Sequence, residues 1–482
     1  MMKKRLISIL LGVSMVAVLL TGCQEKGDEK TDTPTNETTD DATASKEQND
    51  EIVTLKWFQS LNSVEPDTQK VIDELNEYTR EKIGVEIEYA PMANTDYLEK
   101  MPTYINSGED FDICFTADWT TNYLQFAQKD AFMDLTDLLQ ENAKETYDFI
   151  PEEVWNAVKV NDKIYGVPSY KELGWQGGIY VNADMAEEYD IDLSQVKTME
   201  DFTEVLKVVS EKSAEAGKDV IGISGLSTSG FSLSNPYESL VGSPNLPGAS
   251  AVEEYGNFKG QEEVFNQYET QDYMDYCKLI YSWNQAGYLP GDPINYDGDA
   301  AKRDNDFTNG NLFSYMVSYA PGAKEADVVK YGHALEFIPL MNPLFETRSV
   351  LGGLLAISSG SENPEKAMEF INLLNTDEYV GTLIRHGIEG VHHTAVGTDQ
   401  VDQTLDGTVT SEQNGYDYVF GWQFGTPFNQ KWDISYPDNI ADLFLEFNES
   451  AVIASHNGFS FNSESMNTEI AAITNVVAEY GP

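Results

Sequence analysis

Ile52-Val53-Thr54-Leu55-Lys56-Trp57-Phe58 has the β-branched and aromatic content of a strand. After a polar turn, residues 65–82 place Val71, Leu75 and Tyr78 at helical spacing, and Gly84 suits a left-handed C-terminal cap. Val85-Glu86-Ile87-Glu88-Tyr89 then alternates as a strand does, a second helix runs over 97–106, and Phe111-Asp112-Ile113-Cys114-Phe115-Thr116 is again strand-like. Strands alternating with helices make βαβ units and a parallel sheet, with ligand contacts in loops beyond the carboxyl ends of the strands. Those loops are 59–64 and 117–122.

The alternation continues downstream. A helix is expected over 135–144, a strand at Lys163-Ile164-Tyr165-Gly166-Val167-Pro168, a stretch containing glycine and aromatic residues at 169–178, and a strand at Ile179-Tyr180-Val181-Asn182. Passage from one sheet to another there makes that stretch a hinge. Helices follow over 199–216, 263–286 and 365–374, strands over 334–339 and 351–357, and a last helix over 468–478. No repeat of 20–50 residues is present. Of the 482 residues about 430 lie beyond position 50, more than one hydrophobic core usually serves, so two lobes are expected. Trp155 and Trp283 fall in helix-like segments and are expected in the core, whereas Trp432 lies in a loop-like region and fits either core or site.

A formal net charge of -51 argues against nucleic acid and against anionic lipid headgroups as partners, since both need a positive field. Solubility in an exposed compartment is enough to explain it. Enzyme signatures are weak. No spacing singles out a catalytic carboxylate pair among 81 acidic residues. His392-His393 point apart if in a strand and have no third ligand at motif spacing, so no metal is expected there. Asp297, Asp299, Asp304 and Asp306 lack the order of a calcium loop and read as a solvated acidic loop. GxxxxGK[ST], GxGxxG and GxSxG are all missing, and no cofactor is expected.

The amino terminus sets the compartment. Lys3, Lys4 and Arg5 precede an apolar run over 6–20 that is short and wrongly flanked for a membrane span and reads as an export signal. Leu20-Thr21-Gly22-Cys23 resembles the lipobox of bacterial lipoproteins, which implies cleavage after Gly22 and diacylation of Cys23. Loss of residues 1–22 removes three basic and no acidic residues and leaves a net charge of -54. Residues 24–50 contain no Val, Ile, Leu, Met or aromatic residue and are expected to be a disordered acidic tether, spanning roughly 30 Å as a flexible coil. Cys114 and Cys277 are expected to be free and buried rather than bridged.

From residue 51 onward the order of segments carries a resemblance. "YINSGEDFDICFTADWTTNYLQFAQKDAFMDLTDLL", "VNDKIYGVPSYKELGWQGGIYVN", "FTNGNLFSYMVSYAPG", "ENPEKAMEFINLLNTDEYV" and "GIEGVHHT", behind a lipobox, an acidic tether and the Trp57 strand, resemble the extracellular solute-binding lipoproteins of ABC importers, in the carbohydrate-type branch of Gram-positive bacteria. Members of that branch usually continue past the position of Gly481-Pro482 with a further helical segment. The resemblance implies an α/β fold, a bilobal clamp like the periplasmic binding proteins with two α/β lobes joined by hinge crossovers. It puts the crossovers near 169–175, 311–318 and 357–361, one lobe at 51–170 plus 315–357 and the other at 171–314 plus 358–482. It also implies a monomeric, lipid-anchored receptor on the extracellular face of the cell membrane that binds an oligosaccharide and delivers it to ABC permease subunits. A peptide receptor, an exported glycan-processing enzyme and a sensor partner of a membrane kinase are the competing readings.

A sugar site needs aromatic rings for the C–H faces of the sugar and short polar side chains for its hydroxyls. Trp57, Ser60 and Asn62 meet that need at the end of the first strand, and Tyr170, Lys171 and Trp175 at the first crossover. Phe420, Trp422 and Gln423 form a third such loop. By resemblance, Asp118 and Trp119 align with a carbohydrate-contacting loop of the family, Asn235, Tyr237 and Glu238 match a short motif of the second lobe, and Tyr319 follows the second crossover.

Overall fold

In the computed structural model residues 52–480 are described, apart from 227, 236, 240–248, 253–264, 411–412, 418–420, 455 and 460–463. The first strand runs three residues further than its apolar start suggests, to Leu61. The strands that organise the chain are β1 (Val53–Leu61), β2 (Val85–Ala93), β3 (Ile113–Thr116), β4 (Val167–Pro168), β5 (Gln176–Asn182), β6 (Ile221–Ser224), β7 (Leu312–Tyr319), β8 (Leu335–Pro339) and β9 (Leu354–Ile357). The principal helices are α1 (Thr68–Ile83), α2 (Asn94–Ser107), α3 (Phe202–Glu215), α4 (Gln271–Ala286), α5 (Pro364–Thr376), α6 (Glu378–His386) and α7 (Ile440–Ser450). Gly84 closes α1 at φ 69°, its N–H turned back to the carbonyls of Arg80 and Thr79, as the sequence leads one to expect.

Two sheets result. The first has the order β2-β1-β3-β9-β4, with β1 parallel to β2 and β3, and β9 antiparallel to both β3 and β4. The second has the order β8-β5-β7-β6, with β5 antiparallel to β7 and β8, and β7 parallel to β6. Each carries its own core. One gathers apolar side chains from 55–173 and from 345–424, the other from 179–340. The chain therefore folds as two α/β lobes.

The expected lobe boundaries need correction. Residues 312–319 are no crossover but an inner strand of the second sheet, Ser314 standing opposite Val181 on one side and Ile223 on the other. β8 also pairs with β5, so of 315–357 only the last strand joins the first sheet, and the chain returns over 340–353. Beyond Ile357 the chain stays with the first lobe: α5 and α6 bury Phe370, Leu374 and Val380 in its core. A strand's own sequence states its two faces and not its neighbours, which is why the pairing was not legible. Over 169–175 the chain does pass from β4 to β5 and so between the sheets.

Trp155 and Trp283 are core residues at 4 % and 0 % exposure. Cys114 is free and buried. Cys277 is free but exposed on α4, where a buried position was expected. The aspartates at 297–306 are structural: Asp297 accepts from the N–H groups of Gly225 and Leu226, Asp299 caps the helix Ala300–Thr308, and Asp304 and Asp306 pair with Lys330 and Lys302. They do not form a solvated loop. His392 and His393 are likewise buried, His392 Nδ1 accepting from Ile388 N at 2.9 Å and its Nε2 facing Asp67 at 3.3 Å.

Candidate functional site

The carboxyl end of β3 turns sharply at Asp118-Trp119. Asp118 N donates to Leu351 O, and the Trp119 indole N–H donates to Gly352 O at 2.8 Å, which ties the turn to the one preceding β9. The Trp119 ring stays 41 % exposed. Phe115 lies beneath, its centroid 5.9 Å from Trp119 and 6.2 Å from Trp422, so three rings run along this end of the first sheet. Lys171 Nζ stands 5.5 Å from the Trp422 ring and 2.7 Å from Glu172 Oε1. Asp118 is buried, and burial raises its carboxyl to about 6, although Arg348 Nε, 3.9 Å away, pulls in the other direction.

Trp422 also belongs to the wall of a cleft of about 500 Å³. Its other lining comes from Glu172 at the crossover, from 320–326 of the second lobe beyond β7, from Arg385 and His386 at the end of α6, and from 427–436 with Phe444 of α7. Trp432 packs edge-on against Tyr436 and Phe444 at 5.3 and 5.5 Å. The Tyr436 phenol is raised above its usual pKa, first by burial and then by the fields of Glu172, Asp433 and Asp417, so three carboxylates converge near one ring. Asp433 is held by the N–H groups of Gln403 and Ser435 at 3.2 and 2.9 Å. His386 Nδ1 lies 3.0 Å from Gln403 Oε1, and since Gln403 Nε2 donates to Tyr416 O, that oxygen is the acceptor and Nδ1 the donor. Burial lowers this imidazole to about 4, which keeps it neutral, and its Nε2 is a buried acceptor with no partner among the described residues. Rings alternate with carboxylates and amides along the wall, a lining able to cover an apolar face and accept from hydroxyl donors together.

Several expected site residues lie elsewhere. Trp57 is fully buried against Tyr89, Phe370 and Phe424, so it has no face open to a ligand. The strand continues to Leu61, so Ser60 is buried too, its hydroxyl donating to Asn94, which in turn donates to the exposed Asn62. Tyr170 packs with Phe149 and Phe428 at 7 % exposure, and Trp175 packs on Met341, Leu344 and Ala454 while bonded through its backbone to Leu344. Gln423 is buried, its carbonyl accepting from Gln59 Nε2. These are packing roles. Tyr319 is stacked on Phe337 at 4.3 Å, just before the cleft-lining Ala320. Asn235 donates to Phe231 O and Ser234 Oγ in the second lobe, and Tyr237 and Glu238 belong to the short strand Tyr237–Ser239. Phe420, and Cys23 where the sequence leads one to expect lipidation, lie outside the described residues.

The structure thus brings together Trp119, Lys171 and Trp422 from the expected set. It adds Glu172, Asp417, Gln430, Trp432, Asp433, Tyr436 and Phe444. Lys431-Trp432-Asp433-Ile434-Ser435-Tyr436 has the same interleaving of rings and short polar residues that marked 420–423, and that signal was sufficient to find it.

A family model for bacterial extracellular solute-binding proteins matches residues 74–385. A carbohydrate ABC transporter substrate-binding protein of Streptococcus pneumoniae is 27% identical over 428 residues, 85% of this chain and 79% of that one. Lipoprotein LipO of Bacillus subtilis is 24% identical over 411 residues, 81% of this chain and 74% of that one. The crystal structure of the N-glycan transport solute binding protein NgtS of S. pneumoniae shares the fold at a TM-score of 0.74 and 24% identity, with 89% of each chain covered. Its complex with Man5GlcNAc gives a TM-score of 0.61 at 23% identity and the same coverage. With two α/β lobes, a cleft of rings and carboxylates, and a family match over most of its length, the chain belongs to the bacterial extracellular solute-binding proteins.

Proposed function

We propose that this protein is a membrane-anchored receptor that captures an oligosaccharide between its lobes and delivers it to the permease of an ABC importer. The observation that carries the reading is the cleft wall, where Trp422, Trp432 and Tyr436 alternate with Glu172, Asp417 and Asp433. Each ring can cover one sugar face, and each carboxylate can accept from hydroxyls that would otherwise lose their hydrogen bonds to water on burial. Trp119 extends the platform at the rim. The relatives support the same class: one is a carbohydrate transporter protein and another binds Man5GlcNAc.

Binding to both lobes biases the population toward a closed clamp, because a ligand shifts an equilibrium only by its differential affinity for the two states. Cys23 would carry the diacyl anchor and 24–50 the tether, holding the body near its permease, so a weak receptor–permease contact suffices. A melting-temperature screen tests the reading. Mannose- and N-acetylglucosamine-containing oligosaccharides are expected to raise the midpoint by several degrees at about 100 times Kd. Stabilisation by peptides alone would reject the sugar assignment, and accumulation of cleaved sugar would reject the receptor reading.

A further inference from the structure

Arg385 is 1 % exposed, lies at the end of α6, and lines the cleft. Among the described residues its four hydrogen bonds all run to backbone carbonyls: Nε to Gly421 at 2.8 Å, Nη1 to Gly381 at 2.9 Å, and Nη2 to Gly425 and Thr426 at 3.2 and 2.8 Å. Burial pulls its pKa down to about 9, with the Tyr416 phenol pulling the other way. A desolvated guanidinium held by carbonyl dipoles instead of a carboxylate costs more to bury than an ion pair of good geometry, so its placement calls for a reason beyond stability.

Three of the four acceptors flank Trp422, one before it and two after. The Ser169 hydroxyl, shared between the carbonyls of Trp422 and Gly425 at 2.5 and 2.7 Å, holds the same turn from the crossover. Packing is tight on both sides: a Cβ on Gly421 would stand 2.9 Å from Arg385 Cδ and Cγ, and a Cβ on Gly353 only 2.7 Å from Trp422 Cζ3. We propose that Arg385 is the positioning residue for the Trp422 platform, its planar fork gathering the carbonyls of Gly421, Gly425 and Thr426 so that the ring between them is fixed in the cleft wall. That role rests on the oligosaccharide reading above for its consequence, but not for its geometry. A lysine keeps the charge and loses the fork, so it cannot satisfy carbonyls on both sides of the ring.

The test uses the full chain labelled with 5-fluorotryptophan. Its seven tryptophans give one fluorine resonance each, and that of Trp422 is assigned by its loss in Trp422→Phe. Without any ligand, Arg385→Lys is expected to shift or broaden the Trp422 resonance and leave that of Trp283, in the core of the other lobe, in place. An unmoved Trp422 resonance would overturn the proposal. With Man5GlcNAc as probe, Arg385→Lys is expected to weaken binding about three- to tenfold in the wild-type background and not at all in Trp422→Ala. An equal loss in both backgrounds would also overturn it, because the arginine would then act without the ring. If the wild type does not bind Man5GlcNAc, the choice of this sugar fails while the fluorine experiment still decides the role of Arg385. Should Arg385→Lys not fold, Gly421→Ala presses on the arginine stem directly and must move the same resonance, or the proposal falls.

Discussion

Asp118 has 8 % of its surface exposed, and its carboxyl, raised by burial, ionises near pH 6 in the folded chain against 3.8 when free. Between those values the folded state keeps a proton that the unfolded state has released. This group's contribution to stability therefore falls as pH rises through that window, by on the order of 2–3 kcal/mol. His386 acts with the opposite sign. Its folded pKa of about 4 lies below the free value of 6.5, so stability is lost as pH falls from 6.5 toward 4. Asp118→Asn is expected to stabilise the protein by about 1–3 kcal/mol at pH 7.5, with little gain at pH 4. Denaturation curves at the two pH values check this, and an equal effect at both would show that the carboxylate is not held against its charge. Single residues were legible in the sequence to the extent that their surroundings were local. Trp119 lies on a turn and is where a loop reading put it. Trp57 reads the same way, yet helix α5 covers it from some 300 positions away.

Among the elements, helix α7 and the crossover at 169–175 depend on one side chain. Asn448 Oδ1 accepts from Leu173 N and Gly174 N at 2.7 and 3.1 Å, and its Nδ2 donates to Lys171 O at 2.7 Å. Asn448→Ala leaves two part-buried N–H groups and one carbonyl unpaired, for an expected loss of about 2–3 kcal/mol, with Asn448→Asp intermediate because it restores only the acceptor. Chemical denaturation measures both, and a loss below about 0.5 kcal/mol would show that the crossover is held by other contacts. Most elements were legible, since periodicity and caps are local. The strand at Ile179-Tyr180-Val181-Asn182, the helix over 365–374 and the last helix over 468–478 all appear, now bounded as Gln176–Asn182, Pro364–Thr376 and Asn467–Tyr480. Sheet membership was not: the resemblance puts a crossover at 311–318, and the residues of β7 carry no mark of its pairing with β5 and β6.

At the scale of the molecule, two lobes with separate cores leave the cleft as the place where a bound solute can touch both. The second lobe brings 320–326 to the cleft, and the first lobe and the carboxyl-terminal segment bring the rings. A net charge of -51 keeps such a body soluble and turns anions away, while uncharged sugars are indifferent to it. On the proposed function the rings of this cleft hold an oligosaccharide, and isothermal titration of Man5GlcNAc into the wild type, Trp422→Ala and Trp432→Ala measures that directly. Saturable one-site binding that weakens about tenfold in each variant, with each unliganded variant still unfolding in one cooperative transition, is the predicted result. Saturable binding of equal affinity in all three proteins would contradict it.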